Sequence, residues 1–152
     1  MTMDGNLLAA AGIFMRWLHI TSVITLVGGF IFARYMVAPA LAALTPSAAG
    51  AFTTGMIVRF RPVLYGALGG VLVSGLYNYL TKASYPPHYH AVIGVKFLLV
   101  LHVFAASVLY TMPNVAEASR VRKLNGLVFS SVGIIVLSAV LRYLTLSAGL
   151  VK

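Results

Sequence analysis

The chain has 152 residues, of which 61% are hydrophobic and 9% charged, with a mean hydropathy of +0.97. Soluble domains carry about 25% charged residues, so this composition excludes an ordinary soluble globule and a polar, disordered chain. Eleven Lys and Arg face two acids, Asp4 and Glu117, for a net charge of +9, and the absence of cysteine removes disulfides, thiolate metal sites and cysteine nucleophiles.

The basic residues stand at the ends of apolar runs, which makes them markers of membrane topology rather than a nucleic-acid surface. Four such runs approach the ~20 residues that cross a hydrocarbon core. The first extends from about Gly12 to Ala33. No basic region precedes it, so it is expected to be a span and not a cleaved signal. Pro39 and Pro46 predict a break after it. The second run is Val63 to Leu80, with Pro62 expected in its first turn. Pro86-Pro87 separates it from the third, Ala91 to Met112, which Pro113-Asn114 ends. Asn125 is predicted to cap the fourth, Leu127 to Ala148. Strand-like alternation is absent. The expected fold is all-α, an integral membrane four-transmembrane-helix bundle forming one domain over residues 1–152.

Loop charge predicts orientation. Arg34, Arg59 and Arg61 flank the first connection, and Arg120, Arg122 and Lys123 the third; Lys82 and Lys152 stand opposite. Positive charge is retained in the cytoplasm. Both odd loops are therefore expected there, with both termini outside the cell's cytoplasmic (inner) membrane.

Polar groups inside the spans carry the functional information, because ionisable side chains are costly in lipid. Arg16 and His19 share one face of helix one, and Lys96, His102 and Arg142 lie in helices three and four. At ~1.5 Å per residue, His19, Lys96 and Arg142 fall roughly 8–10 Å below the outer helix ends, with Arg16 a turn above. Tyr77 and Asn78 can join that layer. The plain alternative for the cations is snorkelling to headgroups. Together they call for an anion the chain does not supply: a lipid phosphate, a quinone head or haem propionates. Gly66, Gly70 and Ser74 form a small-residue stripe suited to close helix packing, or to a flat ligand or a second protomer.

Histidine is the usual protein ligand of haem iron, and helical bundles hold cofactors between facing helices. His19 is the leading ligand candidate, against the alternative of a hydrogen-bonded core histidine. His102 lies about 7 Å deeper, an awkward offset for a bis-histidine pair. Lys96 matches the depth of His19 better, and could ligate iron only as the neutral amine. His88 and His90, in Tyr-Pro-Pro-His-Tyr-His, are expected at the interface.

The stretch Trp17-Leu18-His19 through Ser22-Val23-Ile24 to Gly29 resembles the first helix of the HemJ-type protoporphyrinogen oxidases and the related CopD-like membrane proteins. Gly94-Val95-Lys96-Phe97-Leu98-Leu99-Val100-Leu101 resembles that group's third helix, and Arg59 to Gly66 its second. The resemblance implies a four-helix bundle binding haem b, with His19 and Lys96 at the positions on which the oxidases depend. The chain departs from the family where Val37-Ala38 stand in place of a tyrosine-histidine pair, and in lacking a tryptophan-rich second helix. Scattered methionines and the missing cysteines disfavour copper transport.

Two function classes follow. One is a haem-binding redox protein passing electrons from quinol or a porphyrinogen, a HemJ-like oxidase among the options. The other is a cofactor-free accessory subunit, holding lipid and partner helices in a homo-oligomer or larger membrane complex. A transporter ranks third, because no span is broken at mid-membrane and none holds a carboxylate.

Overall fold

The structure, a computed structural model, describes residues 3–81, 85–86, 89–113 and 115–149, with the side chains of residues 3 and 4 excluded. The sequence expectations for Asp4, Lys82, Pro87, His88, Asn114 and Lys152 lie outside the described residues or side chains. The described chain is all-α. Helix α1 (Met3–Phe32) continues through a π-helical turn, Ala33–Val37, into the short α2 (Ala38–Ala42). Helices α3 (Pro46–Leu80), α4 (Tyr89–Thr111) and α5 (Glu117–Ser147) follow. Four helical stretches are long and apolar enough to cross a membrane: Gly5–Ala42, Pro46–Leu80, Tyr89–Thr111 and Glu117–Ser147. This is a multi-pass membrane protein.

Each helix extends beyond its apolar run, because hydropathy marks the part in lipid while local signals set the helix ends. Pro39 continues the first stretch and does not break it: the π-helical turn runs into it with helical backbone at Val37 and Ala38, and the Ala38 amide donates to the Ala33 carbonyl. Thr45 and Pro46 open α3: the Thr45 hydroxyl accepts from the Ala48 amide at 3.4 Å, and its carbonyl accepts from Ala49 at 2.9 Å. Pro62 therefore lies in the interior of α3 instead of its first turn. Its ring leaves the Val58 carbonyl without the usual helical donor, a defect that membrane helices tolerate. Asn125 likewise lies inside α5, which begins at Glu117, and its side chain serves a tertiary contact in place of a cap.

The chain divides into two compact units, Met1–Gly29 with Ala51–Lys82, and Phe30–Gly50 with Ala83–Lys152. In the first, α1 and α3 run antiparallel. A Cβ on Gly29 would stand 2.8 Å from the Phe60 ring, and one on Gly70 would collide with Ser22. Ser22, Leu26, Leu64, Ala67 and Leu68 are buried in this unit. Two members of the small-residue stripe, Gly70 and Ser74, are thus used for helix packing, whereas Gly66 faces open space.

In the second unit α4 and α5 form an antiparallel hairpin, close where Gly133 meets Leu99 and Gly126 meets the His102 ring. Arg120 ties its turn. Only 8% exposed, the guanidinium donates to the carbonyls of Tyr110 at 2.6 Å, Met112 at 3.1 Å and Val115 at 3.2 Å. These are carbonyls left over at and beyond the C-terminal end of α4, where a cation also meets the negative end of the helix dipole. The π-helical turn packs on α5, where Arg34 Nε donates to Asn125 Oδ1 and the Arg34 guanidinium lies 5.5 Å from the Tyr35 ring.

Candidate functional site

His19 is half-buried in the first unit. Its Nδ1 lies 2.9 Å from the Ser74 hydroxyl oxygen, and that hydroxyl bonds in turn to the Gly70 carbonyl. Ser74 is fully buried and has one proton to give. Because that proton goes to Gly70, the Ser74 oxygen accepts from His19, which assigns the imidazole proton to Nδ1 and a lone pair to Nε2. This is the tautomer a metal-binding histidine takes, its second nitrogen held by a neighbouring oxygen. Gly75 lies beside the ring, where a Cβ would make ordinary van der Waals contact at 3.5 Å from His19 Cε1.

Arg16, one turn before His19, is exposed. In the second unit Lys96 is half-buried in α4 and Arg142 is exposed in α5. None of these three cations makes a hydrogen bond or ion pair with a described residue. Glu117 is the only acidic side chain among the described residues. Asn78 is exposed, and the Tyr77 carbonyl accepts from Thr81.

His102 is exposed near the middle of α4, its Nδ1 2.8 Å from the Ser130 hydroxyl of α5. His90 stands in the first turn of α4 beside Tyr85 and Tyr89, with ring centroids 5.3 and 6.3 Å away. Aromatic clusters of this kind occupy the membrane–water boundary. Among the described residues no three His or acidic side chains come together.

Sequence reasoning found His19 and Ser74 separately, one as a polar residue in a span and the other as a member of a stripe; the structure joins them. Ser130, the Arg34–Asn125 contact and the capping role of Arg120 had no sequence signal, because each depends on which helix lies alongside. No family model, no curated protein and no solved structure matches this chain.

Proposed function

We propose that this protein is a b-type haem-binding redox protein of the cytoplasmic membrane, with both termini outside, and that His19 Nε2 is an axial ligand. The observation that carries the reading is the His19–Ser74–Gly70 chain, which directs a lone pair away from the protein's own hydrogen bond. Lys96 is the second ligand that the resemblance to the HemJ-type helices implies. Arg16 and Arg142 are the side chains offered to the propionates, whose carboxylates suit a guanidinium fork. When bound, haem supplies one-electron chemistry, and the electron donor is a membrane reductant such as a quinol or, in the HemJ-like case, a porphyrinogen. The resemblance of helices one and three to that group supports the same assignment.

Titration of the purified protein with haemin tests the ligand. His19→Ala is expected to lose the Soret band, whereas His90→Ala keeps it. Lys96→Ala is expected to change the ligation signature while retaining colour. Equal haemin affinity in His19→Ala and the parent chain would remove His19 from the site.

A further inference from the structure

Arg34 lies where the hydrocarbon ends. It follows the first apolar run, residues 12–33, by one residue, and Asn125 of α5 precedes the fourth, residues 127–148, by two. Their hydrogen bond therefore joins two helices at the edge of the core, within reach of the headgroup layer about 5–7 Å deep that flanks it. Arg34 is carried on the π-helical turn, a kind of insertion that recurs at functional positions within α-helices. That turn packs on α5, and the guanidinium is half-buried, with the Tyr35 ring 5.5 Å away. An arginine that only snorkels is held by nothing. This one is held through Nε.

Hydrogen-bonding capacity at this contact is one-sided. A guanidinium only donates, so the Asn125 amide presents its oxygen to Arg34 and keeps its NH2 group for another partner. Neither that NH2 group nor the two terminal nitrogens of Arg34 make a hydrogen bond with a described residue. Arg122, one turn before Asn125 on α5, is exposed and adds a second positive charge. Glu117, the only acidic side chain among the described residues, stands about 12 Å back along α5 from Asn125. Such a site, all donors and positive charge, suits an anion whose oxygens only accept, and a phosphate matches the guanidinium fork. We propose that Arg34, set by Asn125, binds the phosphate of an anionic phospholipid in the leaflet at this end of the helices. Depth favours the lipid over phosphate from solution, because headgroup phosphates reside at this level. Charge disfavours a second copy of this chain, which brings eleven Lys and Arg and two acids.

The test is native mass spectrometry of the purified protein in mixed micelles, titrated with phosphatidylglycerol and, separately, with phosphatidylcholine. The parent chain is expected to bind its first phosphatidylglycerol about tenfold more tightly than phosphatidylcholine, the scale of one charge-assisted hydrogen bond. Arg34→Gln is expected to lose that preference, and Arg34→Lys, which keeps the charge without the fork, to retain part of it. Asn125→Asp puts a carboxylate against Arg34 in the lipid's place, and is expected to lose the preference while the fold is retained. Arg59→Gln removes a cation of the first unit and is expected to leave the preference whole. Thermal unfolding reports the folding of each variant, and Arg34→Lys and Asn125→Asp carry the test if Arg34→Gln fails to fold. Equal affinity for both lipids in the parent chain, or full preference in Arg34→Gln or Asn125→Asp, would overturn the proposal. So would an equal loss in Arg59→Gln, which would mean attraction by overall charge. Displacement of phosphatidylglycerol by millimolar inorganic phosphate would overturn it too, because the site would then take its phosphate from water.

Discussion

His19 and His102 make the same first contact, Nδ1 to a serine hydroxyl, and of the two serines Ser74 also donates to the carbonyl four residues earlier. Ser74 is therefore expected to position the His19 ligand without touching haem. Ser74→Ala should lower haemin affinity by about 10-fold or more while leaving some Soret absorption, since partners of metal-bound histidines carry effects of that size. A loss as complete as in His19→Ala would mean that Ser74 supports the fold instead. Arg16→Gln and Arg142→Gln should each lower the haem midpoint potential, because an arginine beside a propionate favours the ferrous, more electron-rich state; an unchanged titration in both would mean that these arginines snorkel to headgroups. The sequence makes His19 conspicuous as an imidazole in an apolar span. Its proton placement was not legible, because that depends on a carbonyl in another helix, 51 residues from His19 in the case of Gly70.

At the level of elements, hydropathy located all four spans, yet every helix begins before its apolar run, and the first stretch also continues past its end. The segment before Pro62 reads as a loop by composition, and Thr45-Pro46 makes it helix. Likewise Glu117 to Asn125 is charged and still helical. Arg120, counted among the cations of the third connection, is also buried against three carbonyls. Arg120→Ala should destabilise the α4–α5 hairpin by ~2 kcal/mol or more, because hydrogen bonds from a charged group are worth about 1.5–3 kcal/mol each. Arg120→Lys should recover only part, since a single ammonium does not reproduce the guanidinium fork. Thermal unfolding in detergent measures both, and a variant as stable as the parent would show that the turn holds without this cap. Gly70→Ala should destabilise by about 1–3 kcal/mol, because a methyl there meets Ser22 and α1 must yield.

For the whole molecule, the loop cations predict an inward-facing first connection. A cysteine placed at Ser47 stands alone in this cysteine-free chain. It should resist an impermeant thiol reagent in intact cells and react after permeabilisation, as an inward-facing first connection requires. Labelling in intact cells would invert the topology. The most direct measurement of haem binding is the absorption spectrum of the purified parent protein supplied with haemin, oxidised and then reduced with dithionite. A six-coordinate Soret band with sharpened α and β bands on reduction, absent from His19→Ala under the same conditions, is the predicted result. A preparation that stays colourless after haemin addition, or a spectrum unaltered by His19→Ala, would contradict it.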